Sequence, residues 1–311
     1  MSQGLNRLLL SAATVSVVVT LAAPAASLWW VADLFAQFRM QYLFGQLLLI
    51  VALLTIRRRA WAAALLPCVV MNGYAVRPYL LPNTASASGV TTLKLMTVNV
   101  ESRNDNYSDL LAIIASEQPD IVLVLEYSPR WAGALASLER QYPYDLQVPR
   151  EGAFGIALWS RYPLVRAREF ALGPTTALTA TVSAPAGSFD LYGVHLLPPL
   201  SANWSALRNK QLIELAGLSG MRRAPLLLAG DFNISPYSPL FTAWLTAANL
   251  RDTQAGRGPS LSWPTFLPLL GIPIDHCIVS EEFSVTNHRR LPSFGSDHYP
   301  IVVELSQEMS L

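Results

Sequence analysis

The sequence predicts an α/β (α+β) domain with much antiparallel sheet over residues 93–306, preceded by an apolar helical region. Three observations predict it. Charge and hydropathy divide the 311 residues into two unlike parts. Short β-like runs recur through the second part. Amphipathic helical patterns interrupt those runs without alternating strictly with them, which favours mixed sheets over a parallel wind.

Hydrophobic residues make up 52% of the chain and charged residues 14%, where a soluble protein has about 25% charged. Residues 1–92 carry six arginines (7, 39, 57, 58, 59 and 77), no lysine and one acid, Asp33, a net charge of +5. Residues 93–311 carry 14 arginines and two lysines against 20 acids, a net charge of −4. A basic, nearly acid-free stretch followed by a mildly acidic remainder reads as a membrane segment joined to a soluble domain.

Within residues 1–81 three apolar runs are read as spans. Residues 8–30 are uncharged and long enough to cross the ~30 Å hydrocarbon layer. Residues 40–56 are also uncharged and stop at Arg57-Arg58-Arg59. Residues 60–76 are less apolar and contain Pro67, which transmembrane helices tolerate. Trp29, Trp30, Tyr42, Trp61 and Tyr79 stand near the ends of these runs, where interfacial aromatics belong. A cleaved signal peptide would account for Arg7 and the Ala-rich stretch before Ser27, but two further apolar runs follow. Buried soluble helices fit less well, because charges are nearly absent from residue 8 to residue 56.

Arg7 and the triple arginine mark the cytoplasmic side. The 31–39 loop and everything after the third span then lie outside, in a bacterium the periplasm. The expectation is an integral inner-membrane protein whose spans contact lipid and whose main domain is periplasmic. Residues 82–92 are small and polar, as a linker should be, and 307–311 form a tail. Cys68 and Cys277 lie far apart in unlike regions, so no disulfide is expected.

The second part offers strand-like runs at 93–99, 120–125, 155–159, 177–183, 188–195, 225–230, 274–279 and 300–305. Helical patterns occupy 107–117, 130–141, 203–219 and 237–248. The polar residues that carry chemistry stand at the strand ends. An apolar run leads into Gly230-Asp231-Phe232-Asn233, where a carboxylate and an amide two residues apart share a face. Such a pair holds a hydrated divalent cation or orients a water; it is also a common turn.

Gly295-Ser296-Asp297-His298-Tyr299-Pro300 precedes the last strand. Asp297 can ligate metal, and His298 can exchange a proton or contact a phosphoryl oxygen. Asp275, in Ile274-Asp275-His276, is a candidate to hold His298 in one tautomer. His195 closes a strand, Glu126 closes Ile121–Leu125, and Asn99 lies within Met96–Val100. Taken singly, Glu126, Asn99 and His195 read as structural residues with their hydrogen bonds made. His276 and His288 receive no role. The order of the set is what lifts it.

An Asn in the first strand, a Glu ending the next, a strand-end His, Gly-Asp-Phe-Asn, an Ile-Asp pair, then Ser-Asp-His-x-Pro: this order resembles the endonuclease/exonuclease/phosphatase superfamily. That group includes deoxyribonuclease I, neutral sphingomyelinases and inositol polyphosphate 5-phosphatases. Ile156–Pro163 is similar to its SR-x-P strand, and Ser262-Trp263-Pro264-Thr265 to its late Trp motif. The likeness covers residues 93–305 and implies a four-layer αββα sandwich of two mixed β-sheets with helices outside.

The resemblance also implies roles. Glu126 would be the main ligand of Mg²⁺ or Mn²⁺, assisted by Asn99 and Asp297. Asp231 would orient or deprotonate the attacking water, with Asn233 on the phosphate. His298, held by Asp275, would stabilise the transition state or transfer a proton, and His195 would contact the phosphate or assist the leaving group. A strand-end His such as His195 is usual in the deoxyribonuclease, sphingomyelinase and phosphoinositide branches and not in apurinic endonucleases, so repair-type activity is disfavoured. The implied activity is metal-dependent hydrolysis of a phosphodiester, or phosphomonoester, by in-line attack of an activated water.

The substrate is less legible. A nuclease should carry an electrostatic footprint for a polyanion, and this domain is net acidic with lysines only at 94 and 210. Two apolar loops, 196–200 and 266–273, flank site motifs; they are ordinary packed loops or they touch lipid. Arg208 and Lys210, on the following helix, contact phosphate or form a solvated face. A lipid headgroup or envelope phosphodiester is the preferred substrate and nucleic acid the alternative. A non-catalytic binding module is the remote one, because every site position keeps a chemically competent residue.

Overall fold

The computed structural model describes residues 3–81 and 92–307. Of the expected linker only Thr92 falls among them, and the tail lies outside them after Gln307.

Twelve described strands form two six-stranded mixed sheets. The first has β11 (Phe283–Arg290), β12 (Ile301–Gln307), β1 (Leu93–Asn99), β2 (Ile121–Leu125), β4 (Ile156–Ser160) and β3 (Tyr144–Val148) in that spatial order. The second runs β5 (Leu164–Leu172), β6 (Thr175–Ala184), β7 (Gly187–His195), β8 (Leu226–Asp231), β10 (Asp275–Val279), β9 (Arg251–Asp252). Only β1–β2 and β7–β8 pair in parallel.

Alternation explains the layering. On β2, Ile121, Leu123 and Leu125 join Leu227 and Ala229 of β8 in the core between the sheets. Val122 and Val124 face the other way, packing with Leu110 and Ile114 of α5 (Tyr107–Glu117) and Trp131 of α6 (Pro129–Leu135). Leu226 and Leu228 likewise meet Leu215 of α7 (Ala202–Gly220) and Phe241 and Trp244 of α8 (Pro239–Ala248). The result is the αββα sandwich. β2, covered on both faces, is apolar throughout.

The N-terminal region holds α1 (Gln3–Ala22), extended by a 3₁₀ turn over Ala23–Ser27, then α2 (Trp30–Ala36), α3 (Arg39–Thr55) and α4 (Arg59–Leu80). Gln3–Ser27 is long and apolar enough to cross a membrane, with mean hydropathy 2.0. The α2–α3 pair meets the same test only as one broken element, bent by 63°. The 31–39 segment, expected as a loop, is mostly the helix α2. It is a helix because it has a surface to pack on. Asp33 accepts from Ser238 Oγ at 2.8 Å and pairs with Arg208 at 2.5 Å, and both charged side chains are fully buried. Arg208 therefore contacts neither phosphate nor solvent, while Lys210 is exposed.

Further contacts seat the bundle on the domain. Gln37 Oε1 accepts from the Ser235 N–H, Gln41 Nε2 donates to Gly271 O, and the Gly256 N–H donates to Pro78 O. Tyr79 meets Tyr237 edge to face. Cys68 and Cys277 are both free and buried.

Candidate active site

Strand register brings the site together. His195 stands level with Asp231 across the parallel β7–β8 pair, and Asp231 level with Asp275 across the antiparallel β8–β10 pair. One row of three neighbouring strands thus carries three functional groups. Asn99 ends β1 and Glu126 follows β2 in the facing sheet, while Asp297 and His298 precede β12. All eight residues expected at the site converge on this end of the sandwich.

Gly230 permits that convergence. Its φ is +137°, and a Cβ there would lie 1.9 Å from Val194 O. Only glycine lets β8 come this close to β7 at the site. Glu126 and Asn233 take left-handed φ values of 57° and 50°, uncommon for side-chain-bearing residues and concentrated at functional sites. The turn at Glu126 brings its carboxylate to the Ser102 N–H at 3.0 Å and the Asn99 amide at 3.2 Å.

His298 is the hub. Its Nδ1 donates to Asp275 Oδ2 at 2.8 Å, and its Nε2 lies 3.8 Å from Asp231 Oδ2 and 3.9 Å from Asp297 Oδ1. The backbone is pinned by Ser296 Oγ, which accepts from the His298 N–H and donates to Asn99 O. Ser262 Oγ does the same for Asp275, accepting its N–H at 3.1 Å. Asp231 Oδ1 accepts from the Asn233 N–H at 2.8 Å, and Oδ2 faces His195 Nε2 at 3.5 Å. Asn233 Nδ2 donates to Leu196 O, and its own carbonyl accepts from Arg208.

Burial and charge set the protonation states. Burial alone would lower the His298 pKa, but Asp275, Asp231 and Asp297 outweigh it and push it up to about 10. Burial and then the His298 charge push His195 down to about 4. One ring is therefore an imidazolium at neutral pH and the other a neutral imidazole. Burial and the charge of Asp275 raise the Asp231 carboxyl well above the usual range, which makes it a stronger base once ionised.

Two groups could hold a cation. Asp231, Asp275 and His298 bring ligand atoms within 4.8 Å of one another, but the His298 proton and its bond to Asp275 already fill that place. Glu126 and Asp297 instead border a polar cleft of about 470 Å³, shared with Glu101, Ser102 and Arg130. Burial raises the Glu126 carboxyl, and the nearby Asp297 charge raises it further; a divalent cation relieves both penalties. Carboxylate oxygens suit Mg²⁺ or Mn²⁺. Asn99, expected as a third ligand, is turned otherwise: its Oδ1 accepts from the Glu101 N–H and its amide donates toward Glu126 and Asp231.

Sequence reasoning missed Glu101, whose Oε2 accepts the Asp297 N–H, and gave no role to Trp263 of the late Trp motif, whose indole donates to Asp297 Oδ2 at 3.0 Å. It also missed Gln37, which lines the cleft of about 450 Å³ holding Asp231, Asn233, His195 and His298. A signal existed: Asp33 and Gln37 are polar at i and i+4 inside an otherwise apolar stretch.

An αββα sandwich with these acids, amides and histidines at one sheet end defines a phosphoester hydrolase. The model of the Endonuclease/Exonuclease/phosphatase family matches residues 96–298, and the chain belongs to that family, whose enzymes use divalent metals. The chain is similar to an endonuclease/exonuclease/phosphatase from Beutenbergia cavernae DSM 12333, at 25% identity and TM-score 0.56, over 70% of this chain and 72% of that one. Two further likenesses show the fold. The human Nocturnin catalytic domain is 20% identical, TM-score 0.58, over 71% and 96% of the chains. The 3′ phosphatase NExo from Neisseria, bound to product DNA hairpin, is 21% identical, TM-score 0.59, over 69% and 99%. No curated protein matches the chain.

Proposed function

We propose that this chain is a membrane-anchored, Mg²⁺- or Mn²⁺-dependent hydrolase of phosphodiester or phosphomonoester bonds whose catalytic domain faces the periplasm. The observation that carries the catalytic reading is the buried Asp275–His298 pair with Asp231 beside it. It joins a base for water to a charged proton donor across a few ångströms. Asp231 takes the proton of the attacking water. The His298 imidazolium, oriented by Asp275, neutralises the developing oxyanion and gives the departing oxygen its proton. Neutral His195 and the Asn233 amide position the phosphoryl group. Bound at Glu126 and Asp297, the cation supplies further charge neutralisation on the phosphoryl oxygens.

Membrane anchoring is supported by α1 and by the inside-out character of the bundle. Its buried side chains include Gln46 and Asn72, hydrogen-bonded to each other and to Thr20. Its exposed ones include Leu48, Val51, Leu66 and Val70. Polar groups inside and apolar groups outside suit a lipid surround. With α4 as a third span, Arg57–Arg59 on the cytoplasmic side puts the domain outside.

The test uses full-length protein in detergent with Mn²⁺. Hydrolysis of bis(p-nitrophenyl) phosphate is expected, and its loss in Asp231→Ala with the thermal midpoint retained. No turnover of any phosphoester with either metal would sink the hydrolase reading in favour of a binding module. A reporter fused after residue 92 should be active only in its periplasm-dependent form; activity of a cytoplasm-only reporter reverses the topology. The alternative of a tethered nuclease draws on the fold shared with the DNA-bound Neisseria enzyme, against the domain's acidic balance. Plasmid nicking under the same conditions decides it.

A further inference from the structure

Resting on that reading of the site and of the anchor, we propose that the substrate is a phosphoester lipid, taken at the bilayer surface with its apolar part in the outer half of the catalytic cleft. The cleft of about 450 Å³ has two kinds of wall. Asp231, Asn233, His195 and His298 make the inner one. Pro198, Pro199, Leu200, Trp204 and Ile272 make an apolar one, a surface suited to hydrocarbon and not to a sugar-phosphate backbone. Leu200, at the cleft wall, is 72% exposed.

The cleft also adjoins the membrane region. Gln37, at the break between α2 and α3, is one of its lining residues. Gly271, beside Ile272, accepts a hydrogen bond from Gln41 at the start of α3. Just before Gly271, Phe266 and Leu269 are 75% and 88% exposed. Among the described residues after 92 these are the two most exposed large apolar side chains. Held at the domain-side end of a membrane helix, this loop meets the interfacial layer, where such side chains gain by burial. A lipid occupant accounts for both features at once: the loop enters the bilayer surface, and the apolar wall receives a chain drawn from it. In the reaction water oxygen bonds to phosphorus and one ester P–O bond breaks. Asp231 takes the water proton and His298 supplies the proton of the departing alcohol, so that an alcohol and a phosphate ester or phosphate leave.

The experiment compares three substrates with the full-length enzyme in phosphatidylcholine vesicles and Mn²⁺. They are phosphatidylglycerol or phosphatidic acid in the vesicle, the matching deacylated glycerophosphoesters in solution, and bis(p-nitrophenyl) phosphate. At least one acylated lipid should turn over some hundredfold faster than its deacylated counterpart. In Phe266→Asp/Leu269→Asp the ratio of vesicle to bis(p-nitrophenyl) phosphate turnover should fall at least about tenfold; a ratio distinguishes lost docking from lost folding. Cleavage of the soluble ester without preference for either acylated lipid overturns the lipid proposal and leaves the hydrolase reading standing, as does preferential plasmid cleavage. Failure on the soluble ester as well removes the hydrolase reading and this proposal with it.

Discussion

At the scale of single residues, the Asp275–His298 pair sets the pH behaviour. Three carboxylates hold His298 near pKa 10, so the imidazolium persists through neutral pH and is lost as pH rises through that value. In Asp275→Asn the largest raising influence disappears and the ring deprotonates at lower pH. The alkaline limb of kcat/KM should move toward neutrality, with a loss of roughly a hundredfold at pH 7.5; an unmoved limb with a lowered plateau would mean that Asp275 acts only on structure. The sequence picked out the eight candidate positions because each is a polar residue at or within a few residues of the end of an apolar strand, and the fold brings those strand ends together. Arg208 was not legible. Nothing in its helix distinguishes a buried cation from a solvated one, since its partner Asp33 stands 175 residues away. The Asn99 orientation was not legible either, because an amide's role depends on the neighbour that claims its oxygen.

At the scale of elements, every central strand was anticipated within two residues, and four strands were not: β3, β5, β9 and β11. These are the four edges of the two sheets. An edge strand is covered incompletely and resists pairing with other chains by carrying charge and bulges. β5 has Arg166 at φ 53° and a register shift between Val165 and Arg168. β11 shifts between Val285 and Asn287 and ends Arg289-Arg290, and β9 has only two residues. The alternation that reveals a strand is broken by the features that protect an edge. Interior pairing makes a different demand, met at Gly230. Gly230→Ala forces β8 away from Val194 O, and a cost of about 3 kcal/mol or more follows from the clash and the positive φ. The thermal midpoint should drop by roughly 6 °C or more, with activity reduced because His195 and Asp231 separate. An unchanged midpoint would mean that the pair tolerates the wider spacing.

At the scale of the whole molecule, the buried Asp33–Arg208 pair joins the helical region to the catalytic domain. Removing one partner leaves an uncompensated buried charge at a cost of about 3–5 kcal/mol, whereas removing both costs less. Arg208→Met should therefore lower the thermal midpoint more than Asp33→Ala/Arg208→Met does, and should depress turnover through Asn233, whose carbonyl Arg208 holds. Equal losses in the single and double variants would exclude an ionic role. The same pair bears on how the chain is built. Synthesis runs from the N-terminus, so Asp33 is made 175 residues before the arginine that neutralises it. Until Arg208 of α7 is made, Asp33 of α2 lacks the cation it pairs with in the folded chain. The N-terminal helices thus precede, in order of synthesis, the domain residues that seat them.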